Sequence, residues 1–466
     1  MKKIITFLVI AGMVICLCAC VGETKEHEGI PSEAASPADP AGGGSSSETQ
    51  DPAGFRYLAA AGEGCCTEDG YYYITEDTQE LSDGSYGAHI MYMDFASGQE
   101  VYLCSNAGCR HDSPDCSSVL SEEEFPAGSC LIFVHQGSLY ILSKDQDMDG
   151  TVSSIMAADE NGELQSVEME NRPSVLYRAE PDGTNREKVY TFDSSETLED
   201  KVIGDEKGLY FIVKKLSSEQ TTDGTYMAAS ESRLVFLNPE TWKGETICSL
   251  DQNDDISWEV EGCYGDKLVL QGQDYGRRIS GEDILDDDTW KSLYTEADDV
   301  YALLDVKSGG LHEIYRISNK EEHSAYVYGN CLYLSRKQDG SVKAVDLDTG
   351  KERQLASLTN SCIFTVVGDR LCCHSWDWTD DKTFYYVDTK TGEVSHSGLV
   401  NRLNGWSLEL RGETASDALV VYDYEAEQLD EDTYEISRYQ YGLISKEDLY
   451  AGNDNYRTIK MIGSGR

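Results

Sequence analysis

From Tyr71 onward one short unit keeps returning: Gly, Asp or Asn, then a run rich in Leu, Tyr and Val, an acidic loop, a second alternating run, and a turn of the Asp-x-x-Thr-Gly kind. The first run occurs seven times, at 70–74, 137–141, 208–212, 266–270, 330–334, 369–373 and 417–421. The second run with its turn is clearest at 91–98, 345–350 and 386–392, and weaker at 238–244 and 305–309. Short alternating runs bounded by Gly and Asp specify β-strands, and a hairpin written many times specifies an array of like units. The interval from Leu332 to Leu371 is close to the roughly 40 to 50 residues of one four-stranded blade. Longer intervals read as a blade plus loops. The chain is therefore predicted to be all-β, a seven-bladed β-propeller closed on itself so that no sheet edge is left open. The two longest intervals, between residues 71 and 209, leave six or eight blades as alternatives, and two packed β-sandwiches would use the same strands. No long segment of period 3.6 interrupts the runs, so almost no helix is expected.

Ahead of the repeats stand Lys2 and Lys3, an apolar stretch over 4–17, and Leu17-Cys18-Ala19-Cys20. The stretch spans about 21 Å as a helix, too short for roughly 30 Å of hydrocarbon, and reads as an export signal ending in a lipobox. Cys16 and Cys18 follow Ile15 and Leu17, whereas Cys20 follows the small Ala19. Cys20 is therefore the expected lipidation site, residues 1–19 the signal peptide, 20–54 a disordered tether rich in Gly, Ser, Pro and Glu, and 55–466 the propeller. The expected location is extracytoplasmic, anchored by lipid to the outer face of the cell membrane. Losing residues 1–19 takes the formal net charge from −47 to −49. That excludes nucleic acid as a partner and repels anionic headgroups, so the acyl chains alone hold the protein to the membrane. A monomer is expected.

Six of the twelve cysteines beyond Cys20 fall in one early stretch: Cys65, Cys66, Cys104, Cys109, Cys116 and Cys130. The others, such as Cys331 and Cys372, mostly sit in apolar runs, where cysteine acts as a small hydrophobe. Cys104-x4-Cys109-x-His111-x4-Cys116 sets four soft ligands on one polar loop, the number a closed tetrahedral zinc site takes. An even number of cysteines in an exported chain points instead to disulfides, and free thiols are the state favoured in a strict anaerobe. A polar loop of this kind buries too little to order itself, whereas one disulfide closing about 13 residues removes about 3 kcal/mol of unfolded-state entropy. Residues 104–116 are thus expected to form a cross-linked loop capping the end of the first blade. Asp145, Asp147 and Asp149, followed by Gly150, match the start of a calcium loop, although Met156 stands where a helix-loop-helix site has its glutamate; the plain alternative is a solvated acidic turn. Trp376 and Trp378 alternate along a predicted strand and share one face, as a sugar-stacking pair or as packing between blades.

The lipobox, the Gly/Ser tether, the Tyr-rich repeats and the segment from Leu103 to Cys116 together resemble the secreted β-propeller lipoproteins of anaerobic Gram-positive bacteria, whose propellers are similar to those of the low-density-lipoprotein receptor. The resemblance implies fold and location, not an activity. The chain has no Gly-x-Ser-x-Gly, His-Glu-x-x-His or phosphate-binding Gly-x4-Gly-Lys-Ser/Thr motif, and its eight histidines are scattered. It reads as a non-catalytic module that binds a protein, peptide or glycan, or scaffolds an envelope complex. The rival is an extracellular glycan-active hydrolase or lyase, whose catalytic acids would line a propeller channel without a local signature. No catalytic residue is assigned.

Overall fold

A computed structural model describes residues 54–60, 64–125, 130–144, 154–158, 164–168, 172–220, 226–250, 256–277, 279, 283, 287–376, 383–428 and 434–462. Residues 1–53, with Cys20, lie outside the described residues, as do Asp145, Asp147, Asp149 and Trp378. Seven small antiparallel sheets stand in a ring, forming a seven-bladed β-propeller. From the axis outward, blade 1 comprises Cys65–Cys66, Gly70–Ile74, Tyr86–Asp94 and a rim strand made of Gln99–Tyr102 and Val119–Ser121. Blade 2 holds Cys130–His135, Ser138–Ser143, Val175–Ala179 and Glu187–Thr191, and blade 3 holds Glu196–Gly204, Leu209–Gln220, Tyr226–Asn238 and Lys243–Ser249. Blades 4 to 7 follow with first strands at Ile256–Tyr264, His323–Tyr328, Ser361–Val367 and Glu409–Glu413.

Each of the seven repeated runs is the second strand of its blade. These strands pack between neighbouring blades and are buried on both faces, as at Leu332, Tyr333 and Leu334, or Leu371, Cys372 and Cys373. Their continuous apolar character follows from that double burial. The recurring turn joins the third strand to the fourth. Asp346 Oδ1 accepts from the N–H and hydroxyl of Thr349, at 2.9 and 2.7 Å, and Gly350 closes the turn at φ 66°. Asp388 accepts from the N–H groups of Lys390 and Thr391, with Gly392 at φ 75°. In the weakest copy Trp242 takes the glycine's place at φ 53°. The two long intervals are inflated by insertions and hide no unit: residues 104–117 in blade 1, and in blade 2 a side hairpin of Ser154–Ala158 with Leu164–Glu168. A helix, Asp287–Glu296, is inserted in blade 4, and no described helix is long and apolar enough to cross a membrane.

Because strands alternate in direction, the first-to-second and third-to-fourth turns share one face of the ring, and these are mostly tight. The second-to-third connections share the opposite face. There blade 2 carries its side hairpin, blade 4 its helix, and blades 3 and 7 their longest hairpins, Leu209–Gln220 with Tyr226–Asn238 and Asp417–Gln428 with Tyr434–Ser445.

The ring encloses its own N-terminal segment. Arg56–Ala60 pairs antiparallel with Lys201–Gly204, on the axis side of blade 3, and also packs against the first strands of blades 2 and 4. Phe55 N–H donates to Gly265 O at 2.7 Å, on the tight-turn face. Tyr57 hydroxyl and Lys201 Nζ both donate to Val260 O, at 3.2 and 2.7 Å. His135, 1% exposed, lies beside this segment. Burial, then the Arg56 guanidinium, pushes its imidazole down to about 4. An unfolded histidine titrates near about 6.5, so between those two values the unfolded state holds more proton, and stability falls as pH falls through that window. The loss should approach about 3 kcal/mol. Urea unfolding at neutral and mildly acidic pH checks this: the pH dependence should shrink in His135→Phe, and an undiminished dependence would refute it.

The last described residues, 457–462, bridge blade 7 to blade 1 at the rim. Arg457–Thr458 is the outermost strand of blade 7, and the next residues run on to blade 1. There Lys460 exchanges backbone hydrogen bonds with Gly98 and Glu100, at 2.8 and 2.9 Å. The Glu100 carboxylate, in a residue only 1% exposed, accepts from the Tyr73 hydroxyl and from Ile462 N–H at 2.7 Å.

Candidate metal centre

Blade 1 departs from the other six at its rim. Gln99–Tyr102 pairs with Met91–Asp94, and Val119–Ser121 pairs with Gly87–His89 of the same strand. Ile90 serves both pieces: its carbonyl accepts from Leu103 N–H at 3.0 Å, and its N–H donates to Ser118 O at 2.7 Å. One strand has been opened at a single point, and residues 104–117 loop out of it. The expected cap at the blade's end is thus corrected. The loop leaves from the middle of the rim strand, because both its limbs still complete the ladder of Tyr86–Asp94.

Local turns fold the loop back on itself. Cys109 N–H donates to Asn106 O and Cys116 N–H to Ser113 O, at 3.1 and 2.9 Å. Gly108 and His111 adopt left-handed backbones at φ 77° and 59°, and the second of these is unusual for a residue with a side chain. Neighbours brace both flanks. Ser82 N–H donates to Asp112 O at 2.6 Å, and Arg186 of blade 2 donates to Ser117 O and Val119 O at 3.3 and 2.8 Å.

The result brings together Cys104, Cys109, His111 and Cys116, whose ligand atoms all lie within 4.8 Å of one another. A tetrahedral zinc site with bonds of about 2.0 to 2.3 Å sets its donors roughly 3.3 to 3.8 Å apart, and His111 Nδ1 stands 3.4 Å from Cys116 Sγ. No disulfide joins any of the twelve described cysteines. Burial, then the proximity of His89, holds the His111 imidazole below its ordinary pKa, so it is neutral with a lone pair to give. Burial pushes the Cys116 thiol up to about 11. At Cys104 burial is outweighed by hydrogen bonds from the Asn106 backbone, Ser117 and the neighbouring thiols, which lower its pKa. Three crowded sulfurs cannot all ionise against one another without a cation between them, and this donor set suits a soft divalent ion. Four protein ligands fill a tetrahedral shell, so an ion held here has no open position for substrate.

Of the remaining expected site residues only Trp376 is among the described residues, and it does not join this centre. Trp376 directly follows the second strand of blade 6, Arg370–Ser375, is buried, and has the Lys337 ammonium 5.7 Å from its ring centroid. Cys65, Cys66 and Cys130 lie in the first strands of blades 1 and 2, and Cys65 Sγ accepts from Val134 N–H at 3.3 Å. Sequence reasoning missed the groups around the ligands. His89 and Tyr102 sit in strands where either reads as ordinary packing. Their signal is that His89, at 1% exposure, places an ionisable ring in a core strand.

No protein-family model matches the chain, and no curated protein matches it. Among solved structures the chain is similar to an oligogalacturonate lyase in complex with manganese, at 12% identity and a TM-score of 0.38, over 87% of this chain and 99% of that one. It is also similar to a puromycin hydrolase, at 11% identity and a TM-score of 0.41, over 87% of this chain and 53% of that one. A polysaccharide lyase described as an ulvan lyase matches at 11% identity and a TM-score of 0.37, over 86% and 96% of the two chains. The propeller assignment rests on the seven sheets themselves.

Proposed function

We propose that this chain is a lipid-anchored, non-catalytic binding module of the outer cell surface, with zinc held by Cys104, Cys109, His111 and Cys116 as a structural ion. The observation that carries the binding role is the placement of the N-terminal segment. It enters at the tight-turn face, beside Gly265, and its strand then occupies the axis side of blade 3. The long-loop face is therefore opposite the point where Phe55 meets Gly265, and on the axis side of blade 3 the channel is lined by the protein's own backbone. Four long connections of different shapes on the long-loop face supply a varied surface for a protein, peptide or glycan. One group favours the glycan-active rival. Burial pushes Glu261 up to about 7, against the opposing charge of Lys201, and perturbed carboxyls of that kind serve as general acids.

The test compares two proteins on envelope extract and on a panel of acidic and neutral polysaccharides. One is the ectodomain; the other has its 209–238 hairpin shortened to a tight turn beyond Val213. Saturable binding by the ectodomain, weakened at least tenfold in the shortened form, with no release of reducing ends or unsaturated products, is expected. Turnover by the ectodomain that Glu261→Gln abolishes would replace the binding reading with the enzymatic one.

A further inference from the structure

His89 is not one of the four clustered donors, yet it is joined to the centre from two directions. Its Nε2 lies 2.7 Å from the carbonyl oxygen of His111, which requires the ring to carry its proton on Nε2 and donate. Its own backbone is fixed, because His89 N–H donates to Thr75 Oγ1 at 2.9 Å and His89 pairs with Val119 across the rim. Its ring meets Tyr102 edge-on, with centroids 5.1 Å apart, and Tyr102 stacks on the His111 ring at 4.4 Å and 18°. The residue so held is the one at φ 59°, a backbone that costs a side-chain-bearing residue about 1 kcal/mol or more when nothing supports it.

We propose that His89 is a positioning residue of the metal centre: by binding the His111 carbonyl and backing Tyr102, it fixes the left-handed backbone and the ring plane that present Nδ1 to the ion. The proposal rests on the zinc reading above. Its physical basis is that a ligand already locked in the bound geometry loses less conformational freedom on coordination, and that groups behind the first ring of ligands commonly contribute 10- to 100-fold in metal affinity. His89 sits beside Ile90, where the rim strand is opened. The same strand that pinches the loop's base therefore also orients its histidine.

The experiment uses the full ectodomain and two nearly isosteric substitutions, His89→Gln, whose amide donates to the carbonyl, and His89→Met, which cannot donate. Zinc affinity is measured by competition with a chromophoric chelator, and cobalt(II) is added as a spectroscopic probe. His89→Met should bind zinc roughly 10- to 100-fold more weakly, with cobalt bands altered as water replaces a loosened imidazole. His89→Gln should stay near the wild type in both. Tyr102→Leu gives a second arm if His89→Met does not fold, with the same weakened, altered signature expected. Wild-type affinity and an unchanged cobalt spectrum in folded His89→Met, or in Tyr102→Leu if that arm is used, would overturn the positioning role while leaving the zinc reading intact. A wild-type protein that binds neither metal would overturn both.

Discussion

Cys116→Ala should empty the Cys104–Cys116 centre and release the rim of blade 1, the largest single effect expected in this protein. Cys116 is the most buried of the four ligands, at 3% exposure. Its carbonyl accepts from Val119 N–H at 3.0 Å, at the point where the chain rejoins the strand. The ectodomain purified without chelator should carry one zinc per chain, and the variant none. At free zinc a thousandfold above Kd, binding stabilises the fold by about 4 kcal/mol, so the variant and the chelator-treated wild type should both unfold at markedly lower denaturant. Proteolysis should cut first within 104–117 in both. Blade 2 should feel the loss as well, since Arg186 binds the carbonyls of Ser117 and Val119. Elemental analysis with thiol counting under denaturing conditions decides the chemistry. Absence of zinc, with thiols that appear only after reduction, would establish a disulfide instead and remove the metal reading.

Glu100→Ala should be nearly as damaging, because it opens the ring. Removing the carboxylate leaves the buried Tyr73 hydroxyl without this acceptor, at about 1 to 3 kcal/mol, and frees Ile462 N–H at an exposed residue for a smaller cost, so a loss of about 3 kcal/mol is expected. Burial, and then the Glu100 charge, keep the Tyr73 phenol far above its ordinary pKa, so it remains a donor throughout the accessible pH range. Glu100→Gln preserves an acceptor and should lose much less. Denaturant unfolding of the three proteins checks the ordering. Equal losses for Ala and Gln would mean that the negative charge, and not the acceptor geometry, holds the terminus.

The parts of this fold that were legible in the sequence are those set by local chemistry. Runs such as Leu332-Tyr333-Leu334 mark second strands because both faces are buried, and the Asp346 and Asp388 turns are legible because aspartate, Thr and Gly each perform a local backbone task. Cys104, Cys109, His111 and Cys116 were also legible, since they share one loop. Placing that loop within the rim strand was not, because the decisive contacts are at Ile90, on a strand that reads as uninterrupted core. Pairing of residues 56–60 with 201–204 joins segments far apart in sequence, and no local pattern announces it. The partnership of Glu100 with Ile462 is hidden for the same reason: an acid in an alternating strand ordinarily faces water.

Seen as a mechanical element, the strand at 56–60 is where a tug on the N-terminal segment would arrive. Tension applied along the strand would draw it lengthwise past Lys201–Gly204. The ladder bonds would then have to yield together, in shear, and could not peel away one after another. Phe55 at Gly265 and Tyr57 at Val260 spread part of that load to blade 4 before any of it reaches blade 1, whose rim carries the opened strand. A chain pulled from its N-terminal side would thus be gripped from inside the ring on blade 3, two blades away from the opened rim strand of blade 1.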